Sequence, residues 1–113
     1  MKSKILALSK NEEFKNLLKQ KKLSNKYVAI FFGLLDNKDQ KRLNISFVTK
    51  KKIGNAVKRN RIRRKLKAIV NKLLKIKGAI NSNYTYIVFG KSKAYEKDHK
   101  TLFSAVQKSF EKF

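Results

Sequence analysis

Residues 42–75 read RLNISFVTKKKIGNAVKRNRIRRKLKAIVNKLLK, and the period of the apolar residues changes within them. At 42–50 apolar and polar residues alternate. Leu43, Ile45 and Phe47 face one way and Asn44 and Ser46 the other, which is the pattern of a strand with one buried face. From about 57 to 75 the period becomes helical: Ile62, Leu66, Ile69, Val70 and Leu73 form one apolar stripe, with Asn60, Arg64, Lys67 and Asn71 roughly opposite. Gly54 and Asn55 separate strand from helix, and Gly78 is the natural stop. A strand that turns into an amphipathic helix predicts a helix packed on a sheet.

The same periods extend in both directions. Residues 27–35 (YVAIFFGLL) are rich in aromatic and β-branched side chains and predict a strand. The turn signal DNKDQK at 36–41 predicts that this strand pairs as a hairpin with the one at 42–50. Residues 84–89 (YTYIVF) predict a third strand. Residues 94–113 predict a closing helix with Leu102, Phe103, Val106 and Phe110 on its apolar face. Near the start, Ser9 with Glu12 three residues later is a capping box, and Phe14, Leu17 and Leu18 fall at helical spacing, so a short helix is predicted over 10–20. Residues 20–26 are polar and predict a loop. The order is helix, strand, strand, helix, strand, helix. It predicts one α+β domain over 1–113, an αβ sandwich of a small, mainly antiparallel sheet and three helices.

Charge dominates the composition. Thirty Lys+Arg against seven Asp+Glu give a formal net charge of +23, and no acid lies between Asp39 and Glu96. Such a chain repels itself and calls for a polyanion, of which nucleic acid is the commonest. There is no cysteine, so neither a disulfide framework nor a thiolate metal site is available. The longest apolar run, 27–35, is far too short to span a bilayer, and 5–8 is shorter than the core of a secretory signal. A cytoplasmic protein with no membrane partner and no small-molecule substrate is expected. His99 is the only histidine and sits among lysines, as a surface residue does. Glu12 and Glu13 are adjacent and face different sides of a helix, which suits a cap and first-turn charges better than a metal site. No glycine-rich phosphate loop, nucleophile elbow or zinc spacing occurs, so no catalytic residue and no metal ligand is assigned.

Function concentrates in 50–65, KKKIGNAVKRNRIRRK, where nine of sixteen residues are Lys or Arg. Lys51 and Lys52 precede the turn. Lys58, Arg59, Asn60, Arg61, Arg63, Arg64 and Lys67 follow on the helix, whose apolar side is pinned to the sheet while its cationic side faces out. Guanidinium forks bond phosphate in pairs and stack on bases. The amide of Asn60 can both donate and accept, as a base edge or sugar hydroxyl requires. A structural RNA binder of ribosomal type, a DNA-binding module and a cationic membrane-surface helix share this composition. The helix packed on strands lacks the paired helices of a helix-turn-helix.

The stretch GNAVKRNRIRR, residues 54–64, resembles the signature of the bacterial ribonuclease P protein family, with Lys51 and Lys52 as its lysine pair. Gly54, Asn55, Ala56, Val57, Arg59, Asn60, Arg61, Ile62, Arg63 and Arg64 all match. The resemblance implies a left-handed βαβ crossover around the arginine helix, against the general chirality rule. It also implies a subunit of a ribonucleoprotein endoribonuclease that removes the 5′ leader of precursor tRNA. The RNA subunit would hold the catalytic magnesium ions, and the protein alone would bind no cofactor and be inactive. Lys51, Lys52, Lys58, Arg59, Asn60, Arg61, Arg63, Arg64 and Lys67 would dock on that RNA. Phe14, Leu18, Ile30 and Phe32 would line the leader cleft. Leu18 and Ile30 stand where the family often has aromatics, and 44–49 (NISFVT) departs from the glycine and serine pattern often found before the lysine pair.

Overall fold

A computed structural model describes residues 5–6, 15, 17–19, 21–33, 43–76, 78–80 and 84–112. The alternating stretch forms a strand, but its partner is not the preceding one. The strands are β1 (Ile5–Leu6), β2 (Lys21–Ser24), β3 (Val28–Gly33), β4 (Leu43–Val48) and β5 (Thr85–Gly90). They make one sheet in the order β1-β4-β5-β3-β2. β5 lies between β3 and β4, antiparallel to the first and parallel to the second. β2 pairs antiparallel with β3, and β1 parallel with β4. The expected β3–β4 hairpin is therefore absent and the sheet is mixed rather than mainly antiparallel. Burial accounts for this: Thr85, Tyr86, Ile87 and Val88 are all buried, so β5 is apolar on both faces and takes the centre, where both its edges are paired.

The helix α1 (Ala56–Leu73) links β4 to β5, and α2 (His99–Phe110) follows β5. Short 3₁₀ turns at Lys51–Ile53 and Ser92–Ala94 precede the two helices. Of the three helices expected, the first falls largely outside the described residues, where Lys15, Leu17 and Leu18 are helical. Ser9, Glu12, Glu13, Phe14 and the turn at 36–41 also lie outside them. Residues 21–24 form an edge strand rather than a loop. Its backbone pairs with β3 while Lys21, Lys22 and Ser24 stay exposed, a lysine-rich edge that discourages further pairing. α1 ends at Leu73, sooner than the sequence suggests, and Gly78 supplies the left-handed residue (φ 79°) of the following turn.

One face of the sheet carries Val28, Ile30, Ile45, Tyr86 and Val88 against Ile62, Leu66, Ile69, Val70 and Leu73 of α1 and Leu102, Val106 and Phe110 of α2. All five apolar positions read from the α1 stripe are buried. α1 crosses β5 at Gly90, where a Cβ would run into Ile62 Cγ2 and lie 3.0 Å from Leu66 Cδ1. The turn between β2 and β3 is tied down by Asn25. Its Oδ1 accepts from the backbone N–H of Tyr27 (2.8 Å) and Val28 (2.9 Å), and its Nδ2 donates to Ser109 Oγ on α2 (2.8 Å).

Candidate nucleic-acid interface

α1 starts where Asn55 accepts from the N–H of Lys58 (2.9 Å), a side-chain cap for an otherwise unpaired donor. With Ile62 and Leu66 turned to the sheet, three rows of side chains remain outside. Arg59 and Arg63 form the row toward β4. Arg59 Nε donates to the Asn55 carbonyl (3.4 Å), and Arg63 donates to Thr49 Oγ1 (3.3 Å) and to Asn60 Oδ1. Asn60, Arg64 and Lys67 are exposed along the crest. Lys58, Arg61 and Lys65 form the row toward the connection between β5 and α2. Lys58 Nζ donates to Ser92 Oγ (3.2 Å), and Lys65 Nζ donates to three backbone carbonyls there. Lys51 and Lys52 are exposed in the 3₁₀ turn just before the helix. The nine residues assigned to RNA docking thus lie on the outer rows of α1 or in the turn just before it.

A second basic feature lies on the other face of the sheet. A groove of about 780 Å³ has Leu18, Ala29, Phe31, Ile53 and Phe89 among its apolar lining, with Lys22, Lys50, Lys52 and Lys91 also along it. Phe31 and Phe89 meet edge to face at 5.4 Å, and Lys22 Nζ stands 5.7 Å from the Phe31 ring centroid. Lys91 ties the groove end together by donating to Ser24 Oγ and the Asn25 carbonyl, both at 2.6 Å. Lys52 belongs to this groove and to the turn that leads into α1, so the two basic surfaces are contiguous.

Of the four residues expected in the leader cleft, Leu18 lies in this groove and Phe14 lies outside the described residues. Ile30 and Phe32 are on the opposite face. Ile30 is 0% exposed in the main core, and Phe32 packs against that core with its ring 5.5 Å from Tyr84. The cause is strand parity, since one step along a strand moves every side chain to the other face. Phe31, Phe89, Lys22, Lys50 and Lys91 are among the lining residues to which the sequence reading gives no leader role.

Among the described residues no lysine or arginine forms an ion pair with a carboxylate. The Lys65 ammonium is pushed below the usual lysine range by burial and by Arg61, with Asp98 acting the other way. Asp98 caps α2 by accepting from Thr101 N–H and Oγ1, both at 3.0 Å, and these bonds hold its carboxyl below the usual range. Burial, then Tyr84, raises the Tyr86 phenol well above its ordinary range. His99 is exposed, as expected, with Nε2 3.1 Å from Lys72 Nζ. Among the described residues no three His, Cys, Asp or Glu side chains gather, and the groove is lined with lysines, so these residues do not fit a divalent cation. No helix of the described residues is long and apolar enough to cross a membrane.

The profile of the Ribonuclease P family matches residues 3–113. The ribonuclease P protein component of Bacillus pumilus (strain SAFR-032) is 32% identical over 106 residues, covering 93% of this chain and 85% of that protein. Its counterpart in Carboxydothermus hydrogenoformans is 40% identical over 68 residues, covering 58% of this chain and 57% of that protein. The solved ribonuclease P protein from Thermotoga maritima has the same fold, with a TM-score of 0.77 at 21% identity over 96% of this chain and 97% of that one. Since the profile match runs unbroken through the arginine helix, the central strand and the aromatic floor of the groove, the chain belongs to the ribonuclease P protein family.

Proposed function

We propose a division of labour between the two basic surfaces of this ribonuclease P subunit, whose partners are the RNA subunit and precursor tRNA. The outer rows of α1, with Lys51 and Lys52, dock on the RNA subunit through phosphate contacts. The groove takes the single-stranded 5′ leader, with bases against Phe31 and Phe89 and phosphates on Lys22, Lys50, Lys52 and Lys91. The observation that carries this reading is the contrast between the two surfaces: one is polar and arginine-rich, the other floored by aromatic rings and flanked by lysines. Phosphate contact alone suits a structured RNA, whereas stacking needs unpaired bases. The catalytic magnesium ions belong to the RNA subunit in this scheme, and the protein alone, a single domain over 1–113 working in the cytoplasm, does not cleave.

The test is reconstitution with a bacterial ribonuclease P RNA at low magnesium. The protein should raise precursor tRNA cleavage strongly and show none without the RNA. Docking should weaken steeply with KCl, by about 0.9 in log–log slope per duplex phosphate neutralised and by about 0.7 per single-stranded one. Arg59→Ala or Arg61→Ala should weaken docking by roughly 1.5–3 kcal/mol if each makes a charge-assisted bond. Site-specific cleavage by RNA-free protein, or a flat salt dependence, would overturn the scheme.

A further inference from the structure

The connection between β5 and α2 is clamped to the docking helix. Lys65 Nζ donates to the carbonyls of Ala94 (3.0 Å), Tyr95 (2.8 Å) and Lys97 (2.8 Å), so the backbone that carries Tyr95 is fixed from α1. The Tyr95 ring has Lys58 Nζ 5.2 Å and Arg61 Cζ 5.9 Å from its centroid. Neither cation has a carboxylate partner among the described residues. The β2–β3 turn brings Lys26 and Tyr27 across from it. The hollow between them is about 600 Å³, with Lys93, Lys97 and, as the single acid among the described residues, Glu96 also along its lining. That is within the size of ordinary ligand sites.

We infer that this hollow receives one unpaired nucleotide of the RNA subunit, its base stacked on Tyr95 and its flanking phosphates held by Lys26 and Lys93. The inference rests on the docking role of α1. A ring already held in place loses little freedom on stacking, and any base can stack because every base presents a π face. Among the described residues of the lining, four lysines face one carboxylate, so the hollow attracts the phosphates on either side of the base. The RNA subunit is the source rather than the leader, because both cations at the ring, Lys58 and Arg61, project from the docking helix. Among the described residues the leader groove shares only Ser92 with this hollow.

The experiment titrates the full-length chain onto ribonuclease P RNA without substrate, across a KCl series. Tyr95→Leu should weaken binding by about tenfold, the stacking worth of one base, with no change in salt slope. Tyr95→Phe should keep the parent affinity, because the ring remains. Lys26→Ala combined with Lys93→Ala should make the slope shallower by about 1.4 if both hold single-strand phosphates. A Tyr95→Leu chain that melts like the parent and binds with parent affinity overturns the inference. So does a loss confined to precursor tRNA binding, which would place the nucleotide in the leader. If Tyr95→Leu does not fold, the lysine pair decides, and an unchanged slope and affinity count equally against the hollow. Arg59→Ala, measured alongside, separates the two levels: if it weakens docking while Tyr95→Leu does not, only the nucleotide site fails.

Discussion

Phe31 and Phe32 are neighbours in sequence and lie on opposite sides of the sheet. Phe31 floors the groove beside Phe89, while Phe32 packs under the helices against Tyr84. The two should therefore fail differently when truncated. Phe31→Ala should keep its melting curve but cut the preference of the holoenzyme for precursor over mature tRNA by about 1–3 kcal/mol, because only the precursor carries a leader to stack. Phe32→Ala should lower the melting temperature, with a cost up to the roughly 3–5 kcal/mol of a buried Phe, and leave that preference nearly intact in the fraction that is folded. Equilibrium binding of both tRNAs, with circular dichroism melts of each variant, checks this; the reverse assignment of effects would put the leader on the other face. The pair also shows where sequence reading stops. In 43–47 polar residues mark one face, so parity is legible. In YVAIFFG every position of 27–33 is apolar or glycine, so nothing in the composition says which Phe faces which way.

At the scale of elements, α1 was the most legible part of the chain because its five buried positions make one stripe and lysines and arginines fill most of the other places on the wheel. Its partner on the sheet was not legible. Gly90 looks like an ordinary strand end in sequence, yet Ile62 and Leu66 sit on it. Gly90→Ala should force the helix outward and cost about 1–3 kcal/mol, as overpacking does. In urea this should appear as a lower midpoint with an unchanged slope. α2 offers a titration test. The Asp98 carboxyl is held below its usual range by the two Thr101 bonds. Its cap is therefore at full strength above the ordinary carboxylate range and is lost as pH falls through the depressed folded value. The difference in melting temperature between the parent and Asp98→Ala should be present at neutral pH and close in acid; a difference that persists in strong acid would mean the residue acts through something other than its charge.

At the scale of the whole molecule, a net charge of +23 is left without ion pairing among the described residues. Self-repulsion of this size loosens the compact state, and bound anions oppose it. The melting temperature should rise with salt, and rise further in sulfate than in chloride at equal ionic strength, since the clustered cations of α1 bind a divalent anion as well as being screened by it. Equal melting temperatures in the two salts would reduce the effect to screening alone. The sequence disclosed this charge and the layered architecture, but not the strand order, because DNKDQK between two apolar runs reads as a hairpin whether or not a later strand inserts between them. That late insertion governs how the molecule is made. A nascent chain delivers β2 and β3, then β1's partner β4, as two pairs with no hydrogen bond in common, because the strand that joins them ends at residue 90. Until that joining strand is made, neither pair has its neighbour in the sheet, and Ile62 and Leu66 lack the strand end at Gly90 on which they sit. A chain that stops short of Thr85 should therefore leave the two strand pairs unjoined, with no single sheet for α1 to pack on.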